Sequence, residues 1–286
     1  MQGRKHVSIP PPKHGLSPLI RRYRFLLCDV WGVLHDGGTA FAAAVAALER
    51  ARQAGCRVIA LSNSPKRASI VYAQLSGKGV GAQALDAVIT SGELTRAHLE
   101  EAWAGSSVFH LGPAEDRDTL ADLPLRETDD IERTDILVAT GLRYAEPKDH
   151  DKLLARAAAR GLDFLCANPD RVVRLGERRE PCAGVLADRY ATLGGHVLWM
   201  GKPDPRPYRA CRKLFAELAG GDVPADSMLA IGDGLATDIA GGNKAGLSTL
   251  LIEQGLHREE LASDTHDAVF ERYGATPTYR MPRLVW

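Results

Sequence analysis

This chain has no long apolar run. Nowhere do about 18 apolar residues follow one another, the length a membrane-spanning helix needs. It has no net charge either. Its 36 basic side chains balance 36 acidic ones, so no basic excess points to nucleic acid or to a membrane surface. The five cysteines, at 28, 56, 166, 182 and 211, are odd in number and scattered. No pair has zinc-finger spacing. Cys28 and Cys166 fall in apolar runs, where buried thiols usually sit. Reduced thiols in a cytoplasmic protein are therefore expected. The charged start at Met1 has no apolar stretch behind it, so no secretory signal is expected. Internal repeats and low-complexity tracts are lacking too.

What remains is 286 residues of ordinary globular composition, 45% hydrophobic and 25% charged. That length suits one large domain or two moderate ones. After a polar, proline-rich lead-in over 1–15, a short helix is expected at 16–23 and a buried strand at 25–28. A helix over 42–54, a strand over 57–61 and a helix over 66–76 follow. Such alternation argues for a parallel sheet with crossover helices. Three apolar runs, 108–111, 136–139 and 163–166, with helices at 93–102 and 150–159, read as a second small α/β unit. The first alternation resumes after Gly201, with helices at 207–218 and 236–245 and strands at 228–231 and 248–252. The expected division is a first core part at 16–83, an inserted domain at 84–197 and a second core part at 198–286. The tail from 275 to 286 has no clear pattern.

Open α/β sheets bind ligands beyond the carboxyl ends of their strands. Four such ends carry polar residues here: Asp29, Ser62, Lys202 and Asp233. Two carboxylates can hold a hard cation such as magnesium. A hydroxyl and an ammonium can hold a phosphate beside it. A carboxylate facing an electrophilic phosphorus can act as a nucleophile. Asp233 in a lone Gly-Asp-Gly would be read as a turn. Asp238, five residues on, and the ordered set of strand ends raise it to a candidate ligand.

The order of an acid after a strand, Ser after a strand, Gly-Lys-Pro and Gly-Asp-x-x-x-x-Asp resembles the haloacid dehalogenase-like (HAD) hydrolase superfamily. The resemblance runs from about Tyr23 to Ile252. The phrases Thr90-Ser91-Gly92, Asn168-Pro169-Asp170 and Pro181-Cys182-Ala183-Gly184 resemble subclass IIA, and Asp29–Gly37 resembles a group within it. The resemblance implies a Rossmann-like α/β core with an inserted α/β C2 cap. It also implies a Mg²⁺-dependent phosphatase of small phosphorylated metabolites. On it, Asp29 is the nucleophile and a metal ligand, and Ser62 with Asn63 binds the phosphoryl group. Lys202 restrains nucleophile and phosphate. Asp233 and Asp238 hold the metal, with the backbone carbonyl of Trp31. A small phosphorylated substrate is the expected partner, with no nucleic acid or membrane, and a homodimer through the cap is allowed for.

One position departs from the pattern. Most phosphatases of the family have Asp two residues after the nucleophile, as general acid and base. Here it is Trp31. An indole N–H cannot exchange a proton at neutral pH. His35 and Asp36 are the nearby candidates to replace it. The departure keeps two other readings open: a phosphate-ligand binding protein with little turnover, and a metal-independent dehalogenase-type hydrolase. The arginines 171, 174, 178 and 179 form either a solvated face or a reader of substrate charge.

Overall fold

The computed structural model describes residues 13–175 and 178–286. Most of the lead-in, residues 1–12, lies outside the described residues. Strand β1 (Phe25–Cys28) is followed by α1 (Ala42–Gln53), β2 (Arg57–Ser62), α2 (Ala68–Gly77), β3 (Ala87–Thr90) and α3 (Ser91–Ala102). A second unit then holds β4 (Ser107–Leu111), β5 (Arg126–Glu127), β6 (Ile136–Ala139), α4 (Asp151–Ala159), β7 (Asp163–Cys166), a hairpin of β8 (Val172–Leu175) and β9 (Arg178–Pro181), α5 (Ala183–Thr192) and β10 (Val197–Trp199). The chain returns through α6 (Pro205–Ala219), β11 (Met228–Gly232), α7 (Ala240–Lys244), β12 (Ser248–Ile252), α8 (Arg258–Ser263), α9 (His266–Tyr273) and β13 (Tyr279–Met281).

Six strands form one parallel sheet in the order β13-β12-β11-β1-β2-β3. β1 lies at its centre, with Phe25 opposite Met228 on one side and Arg57 on the other. Both faces of β1 are buried, which is why its sequence is a continuous apolar run. Leu26 and Cys28 point into a core with Ala44, Leu48 and Leu75 of α1 and α2. Leu27 points the other way, into a core with Cys211 and Phe215 of α6. This period of two is the strand geometry at work. Strand order reverses direction at β1, so β1 and β11 border the topological switch point where such sheets open a crevice.

Five further strands form a separate parallel sheet, β10-β7-β6-β4-β5. Phe164 on β7 stacks on Tyr190 of α5 at 5.1 Å, and the Tyr190 hydroxyl donates to the carbonyl of Leu162. The sheets do not change at the expected boundaries. β3 (Ala87–Thr90), past residue 84, pairs with β2 in the six-stranded sheet, and β10, reaching Trp199, pairs with β7 in the other. Residues 16–23 differ too: they form tight turns instead of a helix. Leu16, Leu19, Ile20 and Tyr23 are buried as a helical face would be, but the bonds from Ile20 N–H to Leu16 and from Tyr23 N–H to Leu19 do not join into a continuous ladder. The tail is ordered: β13 adds to the edge of the six-stranded sheet beside β12.

Candidate active site

The residues picked out along the sequence come together. Asp29, Trp31, Ser62, Asn63, Lys202, Asp233 and Asp238 all line one cavity of ≈ 240 Å³ at the carboxyl ends of β1, β2 and β11. Asp29 directly follows β1, and its own N–H is fixed by the carbonyl of Ile231 on β11. Lys202 is 3% exposed and uses its ammonium fully. It donates to Asp29 Oδ1 at 2.5 Å, to Asp238 Oδ1 at 2.6 Å and to the carbonyl of Leu61 at 3.1 Å. Asp238 sits in a π-helical turn, Leu235–Ile239, and its Oδ2 also accepts the N–H of Gly234. Such turns recur where a helix must place a functional side chain.

Asp233 fits between two glycines. A Cβ on Gly32 would fall 1.9 Å from its Oδ2, and one on Gly255 would fall 2.1 Å from the same atom. Only bare backbone allows this approach. The N–H of Leu256 donates to Asp233 Oδ2 at 2.7 Å. Ser62 ends β2, and its Oγ accepts the N–H of Ser64 at 3.1 Å. That bond occupies a lone pair and leaves the hydroxyl proton to point elsewhere. The Asn63 side chain is wholly engaged in support. Its Oδ1 accepts the N–H of Lys202, and its Nδ2 donates to the carbonyl of Lys202 and to Asp170 Oδ1.

The electrostatics are unbalanced as the chain stands. One oxygen each from Asp29, Asp233 and Asp238 lies within 4.8 Å of the others. All three residues are buried, against one ammonium. Burial pushes the Asp29 carboxyl well above its ordinary range, Lys202 opposes this, and Asp238 and Asp233 add to it. Burial and the charge of Asp238 bring Asp233 to about 7. Burial alone would lower Lys202, but the carboxylates of Asp238 and Asp29 hold its ammonium well above the usual value. A divalent cation among three carboxylates would remove this repulsion. Its preference for oxygen ligands matches the donor set. The residues fit magnesium.

The family profile described as haloacid dehalogenase-like hydrolase matches residues 26–126. A second, HAD-hydrolase-like, matches residues 199–276. Chronophin of Rattus norvegicus is 30% identical over 274 residues, covering 90% of this chain and 87% of its own. A haloacid dehalogenase-like hydrolase from Brucella suis 1330 superposes with a TM-score of 0.86 at 37% identity, over 96% of this chain and 100% of that one. The chain belongs to the haloacid dehalogenase-like hydrolases. A glycerol phosphate phosphatase, Rv1692 from Mycobacterium tuberculosis, in complex with magnesium, gives a TM-score of 0.70 at 27% identity, over 93% of this chain and 76% of that one. Within the family the chain falls in subclass IIA, as its phrases indicated.

Those phrases work differently from one another in this HAD member. Thr90-Ser91-Gly92, read as part of the cap, ends β3 of the six-stranded sheet and backs the loop after Ser62. Gly92 donates to the carbonyl of Ser64, and a Cβ on Gly92 would fall 1.9 Å from the carbonyl oxygen of Pro65. Asn168-Pro169-Asp170 does come from the second unit, and Asp170 reaches the cavity wall. Gly184 admits this turn closely, its N–H donating to the carbonyl of Asp170. Asp170 and the loop at Gly255 and Leu256 were missed as site residues in the sequence. The Asn-Pro-Asp phrase was the one available signal for the first.

Of the two candidates to replace the missing acid, only Asp36 lines the cavity. His35 is buried, its Nδ1 accepts the N–H of Gly37, and burial together with the charge of Lys78 lowers its pKa. It packs edge-on against the Trp31 ring at 5.0 Å. Its role is to brace. Of the four arginines, Arg174 lines the cavity, whereas Arg171 pairs with Asp188 on α5.

Proposed function

We propose that this chain is a magnesium-dependent phosphohydrolase of small phosphorylated metabolites, with Asp29 as the nucleophile. The observation that carries it is the Asp29 carboxylate held by Lys202 beside Asp233 and Asp238 at the base of one cavity. The Asp29 carboxylate attacks phosphorus in line with the leaving oxygen. The bond from phosphorus to that oxygen breaks, an aspartyl-phosphate forms, and the leaving group departs as its anion and takes a proton from water. Water then attacks phosphorus, the bond to Asp29 breaks, and the carboxylate is restored. Lys202 fixes the attacking group and offsets charge on the phosphoryl oxygens. The Ser62 hydroxyl, its lone pair already engaged by Ser64, donates to a phosphoryl oxygen. Magnesium, held by Asp29, Asp233, Asp238 and the Trp31 carbonyl, would neutralise further charge on the transferring group.

In this reading the five-stranded unit acts as a cap. Val172, Val173 and Arg174 of its hairpin line the cavity with the nucleophile, which supports a closed site for small substrates. The name of the mycobacterial relative agrees with a small alkyl phosphate class for that protein. A homodimer through this unit and a cytoplasmic location belong to the same proposal. The five cysteines, all buried and free, support the location. No helix among the described residues is long and apolar enough to cross a membrane. A metal-independent dehalogenase chemistry is disfavoured, because three clustered carboxylates without a cation repel. The test is hydrolysis of p-nitrophenyl phosphate. Activity should vanish on chelation, return with Mg²⁺ and be abolished by Asp29→Asn. Turnover that persists in excess chelator would overturn the reading.

A further inference from the structure

Trp31 stands where the family's usual acid would be, and its indole has a partner far along the chain. Its Nε1–H donates to the carbonyl of Arg174 at 2.9 Å, across 143 positions. Arg174 lies on β8, opposite Arg179 on β9. Both guanidinium groups reach Glu259 of α8, at 3.1 and 3.6 Å. The hairpin is therefore tied to the six-stranded unit at two points. One is the loop after β1 and the other is the start of α8. Between them, Val172 and Val173 form cavity wall.

The turn after the nucleophile is built to hold the indole. Gly32 takes φ +82°, a backbone region that disfavours other residues, and its N–H donates to the carbonyl of His35 at 2.7 Å. His35 then lies edge-on to the indole. Gly37 sits beneath it, where a Cβ would come 3.3 Å from Trp31 Cη2. Each part of the Trp-Gly-Val-Leu-His-Asp-Gly phrase that touches Trp31 fixes its ring.

We infer that Trp31 is a positioning residue: it docks hairpin β8–β9 against the mouth of the cavity and so limits the site to small phosphomonoesters. This deepens the phosphohydrolase reading and rests on it. The exchange is acid for closure, at a position two residues from the nucleophile. Among the described residues the tie includes one neutral hydrogen bond and two ion pairs open to solvent. Each is weak on its own, which leaves the hairpin able to part for substrate entry.

Phenyl phosphate and 1-naphthyl phosphate test it, because their leaving groups are similar in basicity and differ in size. The wild type should favour the phenyl ester. Trp31→Phe removes the N–H and keeps a ring. It should shrink that preference by roughly fivefold, the equilibrium worth of one hydrogen bond, mainly through KM for the naphthyl ester. Glu259→Gln loosens the other tie without touching the nucleophile loop, and should shift the same ratio in the same direction. Hydrogen exchange at hairpin amides 172–175 and 178–180 should quicken in both variants, with β1 and β11 unchanged. That last measurement reads the docking whether or not any phosphate ester is hydrolysed. An unchanged size preference together with unchanged hairpin exchange in Trp31→Phe would overturn the inference.

Discussion

Asn63 and Asp170, 107 positions apart, are joined by a 2.8 Å hydrogen bond from the Asn63 carboxamide to the Asp170 carboxylate. The same carboxamide accepts the N–H of Lys202 and donates to its carbonyl. One side chain thus registers Lys202 against both sheets. Asn63→Ala strands the buried N–H and carbonyl of Lys202, at a cost of roughly 2–4 kcal/mol. Denaturant unfolding should show that loss, and turnover should fall because Lys202 is no longer fixed. Asp170→Asn keeps an acceptor for Asn63 and should cost under about 1 kcal/mol. If the two variants are equally destabilised, the Asp170 charge matters and the hydrogen bond is not the main term.

The acidic cluster makes a prediction with two opposite signs. Without metal, Asp233→Asn removes one of three mutually repelling carboxylates. In chelator the variant should melt higher than the wild type. With Mg²⁺ the order should reverse. The wild type gains stability because the ion binds only the folded chain, by about 2.7 kcal/mol at 100-fold over Kd. The variant should gain almost nothing. Thermal melts of both proteins in chelator and in Mg²⁺ are sufficient. A wild type whose melting temperature ignores Mg²⁺ would count against a built metal site.

Acid sensitivity should have a source away from the cavity. His110, on β4, is 4% exposed and bonds to Thr140 Oγ1 at 2.8 Å. Burial, with the nearby charges of Arg117 and Arg143, lowers its pKa to about 4. The folded value lies below the unfolded one, so the unfolded chain binds the proton first. The stabilisation is complete above about pH 6.5 and is lost as pH falls toward 4. The full effect is roughly 3 kcal/mol. Unfolding free energies at pH 7 and pH 5 should therefore differ less in His110→Gln than in the wild type. Equal pH slopes in the two proteins would exclude His110 as the source.

Much of the site was legible because its residues follow short apolar strands in a fixed order. Phe25–Cys28 announces Asp29, and Met228–Gly232 announces Asp233, since a strand buried on both faces has no polar positions of its own. The hairpin was not legible. β8 is only four residues, half-exposed over 172–174, and β9 begins with two exposed arginines, so no alternation marks them. β3 has only four residues and directly precedes a helix, so it was absorbed into the wrong unit. The site role of Asp170 rests on a long-range contact with Asn63, which no local pattern encodes. The turns at 16–23 misled because burial follows helical spacing there while the backbone closes separate turns at Leu16 and Leu19.

Leaving-group chemistry gives the last prediction. Expelling an alkoxide needs a proton at or near the transition state, whereas a phenolate departs without one. Trp31 cannot donate it, and its N–H is already given to Arg174. Loss of general acid help is worth roughly 10²–10⁴ in rate, about 3–5 kcal/mol. The wild type should therefore hydrolyse aryl or acyl phosphates far better than alkyl phosphates. Trp31→Asp should raise alkyl turnover selectively, while it also frees the hairpin. Trp31→Phe separates the two effects, since it releases the hairpin and supplies no acid. Only the aspartate variant should change the ratio of alkyl to aryl turnover. If the wild type treats both classes alike, a different group supplies the proton. Asp36 is then the residue to replace first, because it lines the cavity and His35 does not. Asp36→Asn should in that case depress alkyl turnover and spare aryl turnover.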